Sequence, residues 1–490
     1  MAVFSQDVSA AVQSFRSRPP ILLRTRSSNW FITLAVCFAV FTDVFLYAVI
    51  VPVIPFALES RVGLAASEVQ HWVSILLAVY GAALLVAAPI FGVLADRIRS
   101  RQAPLLAGLV VLLGATVMFC FGKSLTVLVV ARVLQGASAG VVWVVALALL
   151  SDTVGKEASG QAMGFVAASY SAGTILAPFL GGIVYREGGY FEVFGMCFGV
   201  VGTDIVLRLA IIEKHRARKW QDGVVEGGPG FELAEDTNTT ARVPDDQGKR
   251  ADEMTVAPTV ASRKGQPTFV VLIKSRRLQA AWVGTLVVSM TMTGLDATLP
   301  LFVNRMFGWD SLGAGLIFIA LLIPHMFGPI IGRTVDKIGP RWIATFGAIL
   351  LLPFWVLFRL VDHNSIRQIV LMVVLLLGIG VATALLVTSL MSEFSKVCDS
   401  KEKKDANIFR GRSAYSTSYG IFNISWAAGA LLGPLMAAGI ERSAGWKTMT
   451  WCFGLTAAAC LPFVVLFTGG LITTRRKADP TPSSNNAVVV

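Results

Sequence analysis

The chain runs to 490 residues, of which 55% are hydrophobic and only 15% charged, far below the roughly one quarter charged in soluble domains, and this excludes a water-soluble globule. A formal net charge of +12 raises nucleic-acid binding as a candidate activity, which the positions of the charges then remove. Six cysteines, Cys37, Cys120, Cys197, Cys398, Cys452 and Cys460, are scattered, and five fall in apolar runs where cysteine behaves as a small hydrophobe. Neither a disulfide framework nor a metal cluster is expected.

Met1 to Asn29 is mixed and basic, without the pattern of a cleavable signal, so the first permanent span is expected to begin at residue 30. Apolar runs near the ~20 residues that a spanning helix needs then follow one another. They predict helices over 30–55, 69–94, 103–122, 125–150, 159–185 and 190–212. After an interruption come 278–304, 311–333, 342–360, 366–393, 413–440 and 446–472. The interruption, Glu213 to Arg277, is rich in Gly, Pro, Asp and Thr and lacks helical periodicity, so it reads as a linker between halves. The domains expected are therefore a tail over 1–29, helical halves over 30–212 and 278–472, the linker over 213–277, and a tail over 473–490.

Twelve spans place both termini on one side. With the span-end residues Arg333, Arg359, Arg367 and Lys447 counted in the adjoining loops, the tails, the linker and the even-to-odd loops hold 32 of the 42 Lys and Arg residues, the opposite loops hold eight, and Arg132 and Arg208 lie well inside spans. By the positive-inside rule the termini and linker are cytosolic. The excess charge is thus a topology signal, and the partner expected is a lipid bilayer rather than nucleic acid.

An internal repeat stands at the end of the second helix of each half. Gly92, Asp96 and Arg101 are spaced by four and five residues, and Gly332, Asp336 and Arg341 repeat the spacing 240 residues later. Glycine permits close helix approach, while Asp and Arg at a helix end can pair with a neighbouring helix end and release when the halves rock.

The segment Gly92-Val-Leu-Ala-Asp96-Arg-Ile-Arg-Ser-Arg101 resembles the signature loop of the major facilitator superfamily, and the likeness runs from about residue 30 to 472. The resemblance implies an all-α membrane protein of twelve transmembrane helices in two six-helix bundles, working by alternating access around a central cavity. Three further stretches narrow it towards drug:proton antiporters. Leu128-Val-Val-Ala-Arg132-Val-Leu-Gln135-Gly136 is similar to the embedded-arginine motif, to which the family assigns a part in proton transfer. Gly173 to Gly182, with Pro178, resembles the antiporter signature, with Ala177 where glycine is usual. The eleventh helix repeats its core as Gly429, Gly433 and Pro434. Pro178, Gly182, Gly433 and Pro434 are accordingly expected to serve conformational gating, with the two repeated triples.

Asp43 to Pro55 looks like the first helix of vesicular amine transporters and their fungal relatives, and Asp296 matches an acidic position of that group. The chain departs from amine transporters where Tyr80 and Asn423 replace a lysine and an aspartate, and where Ala382 stands near another family aspartate. A strictly cationic substrate is therefore not implied.

Asp43 sits about thirteen residues into a helix of ~1.5 Å rise, near mid-membrane, where an acid is either a proton carrier or half of a structural pair. Arg132 and Asp296 complete the candidate proton-coupling set, although Asp296 lies nearer the outer mouth. Asp204 and Arg208, at i and i+4, read as a structural pair. His325 is either a group that titrates near neutral pH or a histidine bonded to a neighbouring helix. Together with Trp143, Tyr170, Tyr415, Tyr419, Phe422, Asn423 and Trp426 it forms the candidate substrate-binding set, since pockets favour aromatics with a few polar groups.

The function expected is proton-coupled export of a small, largely apolar metabolite or drug by a monomer in the plasma membrane, or else in a vacuolar or vesicular one. The alternative is a facilitator or symporter of an organic acid or sugar, with Arg132 and His325 as counter-charges. No cofactor or metal is expected. With no nucleophile-base pair or phosphate loop in the sequence, neither is an enzyme.

Overall fold

The computed structural model describes residues 22–97, 100–214, 268–405 and 414–470, with 217, 220, 408 and 409 besides. The N-terminal tail before residue 22, most of the expected linker, the chain from 471, and the side chains of Asp96 and Tyr415 lie outside the described residues. Among the described residues, eleven helices are long and apolar enough to cross a membrane. They are α1 Asn29–Ala48, α2 Ala66–Gly92, α3 Gln102–Phe121, α4 Leu125–Val154, α5 Phe165–Glu187, α6 Tyr190–Ala210, α7 Arg276–Phe307, α8 Ser311–Ile338, α9 Pro340–Phe358, α10 Ile366–Glu402, and a last stretch, Thr417–Phe467. That last stretch is two helices, α11 over 417–444 and α12 over 446–467, because Gly445 adopts φ 80°, ψ 171°. Only glycine takes such a conformation without strain, so one residue turns the eleventh span into the twelfth.

Proline sets the other irregularities. The first span was expected to reach residue 55, but regular helix stops at Ala48. Pro52 and Pro55 follow, each lacking a backbone donor, and the chain continues as a short helix, Ile54–Ala57, and a π-helical turn, Leu58–Val62. In α8, Pro324 falls within a 3-10 segment, Ile323–Phe327. The α1–α2 and α7–α8 connections share one face, the distal face; the α2–α3 and α8–α9 loops lie at the opposite, basic face.

Small residues hold each bundle together. Gly140 lies against Ala87, joining α4 to α2; Gly173 lies against Phe41 and Val44, joining α5 to α1. In the second half Gly429 meets Ser289 and Gly433 meets Met290 and Thr293, joining α11 to α7. Without a hydrophobic drive between helices in lipid, such close backbone approach supplies the packing. Hydroxyls add to it: Ser138 donates to the Gly108 carbonyl at 2.8 Å, and Ser289 to that of Trp426 at 2.6 Å.

Asp204 and Arg208 of α6 form the pair that their spacing predicts. Arg208 donates from Nε to Oδ1 at 2.9 Å and from Nη2 to Oδ2 at 2.6 Å, while its Nη1 reaches the Leu105 carbonyl of α3 at 2.9 Å. Both side chains are fully enclosed. Removing one member of a buried pair strands the other charge, so Asp204→Ala should cost about 3–5 kcal/mol of stability. Thermal unfolding in detergent is expected to show a clearly lowered midpoint, whereas an unchanged midpoint would rule out the structural assignment.

Candidate functional site

The halves meet along two helix pairs, α2 with α11 and α5 with α8. At the first, a methyl group on Gly81 would stand 2.6 Å from the backbone of Ala430 and Leu431. At the second, one on Gly182 would stand 2.6 Å from the Ser311 carbonyl, Gly315 lies against the carbonyl of Pro178, and Ser311 donates to the Gly182 carbonyl at 3.3 Å. Of the residues expected to gate, Pro178 and Gly182 therefore lie on the contact between halves. Gly433 packs inside the second half, and Pro434 lies beside it in α11.

The repeated triples behave differently from the sequence expectation. A methyl on Gly92 would meet nothing within 4 Å among the described residues, and one on Gly332 would only touch the Thr388 methyl at 3.8 Å. Neither glycine serves close helix approach in this conformation. The charged members do bond to helix ends: Arg101 lies 3.5 Å from Asp152 of α4, Asp336 3.3 Å from Lys396 of α10, and Arg341 donates to the Thr468 carbonyl at 2.6 Å. Each of these partners belongs to the same half, so the bonds brace each bundle at its basic face.

Toward the distal face helices of both halves converge. Arg132 of α4 is wholly buried, with its guanidinium 5.7 Å from the ring centre of Tyr47 and 5.1 Å from that of Phe119. Such cation-π contacts hold an aromatic ring in place. Arg132 donates from Nη1 to Gln135 at 3.1 Å, and among the described residues its Nε and Nη2 find no acceptor. Tyr47 of α1, one turn beyond Asp43, packs its ring, tilted, against that of Tyr80 of α2 at 4.7 Å and donates its hydroxyl to the Asp296 carboxylate of α7 at 3.2 Å. Gln70 of α2 donates across the same divide to the Ala297 carbonyl at 3.0 Å. Asp296 thus lies toward the distal side, as expected, but bonded to the other half.

A second layer lies deeper. Asp43, 3% exposed, accepts from the Trp143 indole at 3.1 Å. Trp143 stands in a π-helical turn of α4, Val142–Ala146, the kind of wide turn that often marks functional positions. From Trp143 an aromatic belt crosses between halves. Its edge-to-face contacts link Trp143 to Tyr170 at 5.9 Å, Tyr170 to Trp426 at 6.1 Å, and Phe422 to Phe394 at 5.6 Å, with Trp426 stacked on Phe422 at 6.1 Å. Such pairs orient rigidly.

Four of the substrate-binding candidates, Trp143, Tyr170, Phe422 and Trp426, are thereby brought together. Asn423 is buried next to Phe422, and among the described residues its amide makes no hydrogen bond. Tyr419 lies apart, its hydroxyl 2.8 Å from Ser395 of α10. His325 sits in the 3-10 segment of α8, and among the described residues its Nδ1 has no partner. It joins none of the described members of the set.

Sequence reasoning missed Tyr47 and Gln70. Tyr47 was within reach, since it stands at i+4 from Asp43 and so on the same helix face. A hydrogen bond to an ionised carboxylate is worth about 1.5–3 kcal/mol, and one to a neutral acid about 0.5–1.5 kcal/mol. Tyr47→Phe removes the bond to Asp296 and keeps the ring, so the distal contact should loosen and a water-soluble thiol reagent should label a cysteine at position 67 faster. Unchanged labelling would mean that the bond does not hold the halves together.

The helical architecture, two bundles paired across their junction, agrees with three comparisons. The chain is 33% identical to an uncharacterized MFS-type transporter of Schizosaccharomyces pombe over 436 residues, covering 88% of this chain and 94% of that one. It is 23% identical to the vesicular acetylcholine transporter of Tetronarce californica, over 92% and 81% of the two chains. The crystal structure of the human organic anion transporter MFSD10 (TETRAN) has the same fold, with a TM-score of 0.58 and 15% identity over 91% of this chain and all of that one. Residues 36–407 match the family described as Major Facilitator Superfamily, and the chain is a member of that family: a multi-pass membrane transporter, not an enzyme.

Proposed function

We propose that the protein is a proton antiporter that exports a small, largely apolar metabolite or drug. The observation that carries this reading is the Asp43 carboxylate, enclosed at the aromatic belt and held by a neutral indole N–H. An acid in the membrane interior whose partner carries no charge is suited to pick up and release a proton. The belt offers the solute flat apolar surfaces and one neutral amide, Asn423, and it contains no lysine-aspartate pair at Tyr80 and Asn423.

Asp296 supplies the link to conformation. While ionised it takes a charge-assisted bond from Tyr47, and such bonds are about twice as strong as neutral ones. A proton arriving on Asp296 weakens the bond and with it the distal contact between halves, while Arg132 keeps the Tyr47 ring in register. The anion-carrier alternative gains less support, because Arg132 is fully enclosed and His325 lies away from the belt.

With the basic face in the cytosol, the distal face opens to the exterior or to an organelle lumen. We assign the protein to the plasma membrane as a monomer, and then to a vacuolar or vesicular membrane. Reconstitution in liposomes tests the proposal: an acidic interior should drive solute accumulation, and solutes that cross with no response to the pH gradient would overturn antiport. Metabolite profiles inside and outside cells lacking the protein identify the solute.

A further inference from the structure

A cavity of about 490 Å³ opens at the distal face between α2 of one half and α7 and α11 of the other. It is separate from the aromatic belt. The Gln70 bond to Ala297, the Tyr47 bond to Asp296 and the apposition of Gly81 with Ala430 stand between them. Its volume falls in the range of small-molecule sites, about 300–1,000 Å³.

The polar lining is built from both halves. Gln70, only 6% exposed, has spent its amide donor on Ala297, and among the described residues its carbonyl oxygen Oε1 has no donor. Glu441 of α11 has a side chain 9% exposed; its Oε1 accepts from Arg305 of α7 at 3.3 Å, and among the described residues its buried Oε2 accepts nothing. Two enclosed acceptors therefore await donors, and a buried acceptor left unmet costs about 1–3 kcal/mol.

Beside them Arg442 pairs with no acid among the described residues, and Arg305 is half-exposed with donors to spare. Two guanidinium groups against one carboxylate leave the lining with an excess positive charge. The planar fork of arginine suits a carboxylate. Ile75 and Leu435 supply apolar wall between these polar ends.

We infer that this distal cavity is a second ligand site, which takes a small aliphatic molecule carrying a carboxylate at one end and an ammonium at the other. The carboxylate lies on Arg442 and the free donors of Arg305, while the ammonium gives its protons to Gln70 Oε1 and Glu441 Oε2. The chemistry differs from that of the belt, whose surfaces are apolar and aromatic. The site stands whether or not the belt exports an apolar solute.

A binding experiment that needs no transport tests it. Ser67 lines the cavity, and the native cysteines are buried except Cys452, which is half-buried. The full chain carrying Ser67→Cys and Cys452→Ser, in lipid nanodiscs, would be labelled with a water-soluble maleimide in the presence of γ-aminobutyrate, butyrate or butylamine. γ-Aminobutyrate should protect the thiol saturably, slowing labelling about threefold at twice its dissociation constant, where one third of the sites are free.

Butyrate and butylamine, each lacking one end, should need more than about tenfold higher concentrations, a difference of ~1.4 kcal/mol. Arg442→Gln lies at an exposed position, so the fold is retained, and it should abolish the preference for γ-aminobutyrate over butylamine. Glu441→Gln should abolish the preference over butyrate. No saturable protection by γ-aminobutyrate, equal protection by all three probes, or preferences unaltered in both variants would each overturn the inference.

Discussion

Asp43→Asn is expected to abolish concentrative transport while leaving the fold and the solute site in place. An antiporter exchanging one proton for one neutral solute can build an accumulation of about a hundredfold from a gradient of two pH units, since each unit is worth ~1.4 kcal/mol. Asparagine keeps an oxygen to accept the Trp143 indole proton, so the belt stays ordered and the protein should melt at the wild-type temperature. It has no acid to load, so the accumulation ratio in liposomes should fall to about one. Exchange of labelled for unlabelled solute, which needs no net proton movement, should persist. An Asp43→Asn protein that still concentrates solute against its gradient would remove Asp43 from the coupling machinery and shift attention to Asp296.

Much of this architecture is legible in the sequence because it is written locally. A spanning helix is declared by its own apolar run, and the Asp204–Arg208 pair by a spacing of four on one helix, so neither depends on knowing what packs where. Asp43 is legible for a related reason: an acid in the middle of an apolar run has few structural explanations. Contacts across the halves are another matter. Tyr47 and Asp296 are 249 residues apart, and only the register of α1 against α7 brings them together.

The bond between Trp143 and Asp43 likewise depends on a π-helical turn that inserts one extra residue into α4, and no periodicity in Val142–Ala146 announces it. The glycines of the repeated triples mislead for the opposite reason. Their spacing is real, but in this conformation the basic face brings no helix against Gly92. A residue used in only one state of a moving molecule leaves its mark in sequence and none in the contacts of the other state.

That distinction gives the second large effect, a contrast between two glycines whose sequence contexts look alike. Gly136 packs within the first half: a methyl there would meet the Tyr80 carbonyl and stand 2.8 Å from the Ala83 side chain. Every conformation of the bundle keeps that α4–α2 contact, so Gly136→Leu should lower the melting temperature and the yield of folded protein. Gly81 meets the backbone of Ala430 and Leu431 in the other half, and rocking of one half against the other at the distal face would part that contact. Gly81→Leu should therefore fold and melt normally but fail to close. Overpacking by about 3 kcal/mol would displace the equilibrium roughly 150-fold, at ~1.4 kcal/mol per tenfold. Transport should fall to a few per cent of wild type, and a cysteine at position 67 should react rapidly, as in a protein held open to the distal side. Wild-type transport by Gly81→Leu would mean that the α2–α11 contact is not part of the working cycle, and a lowered melting temperature would mean that the two halves form one rigid unit whose contact cannot open.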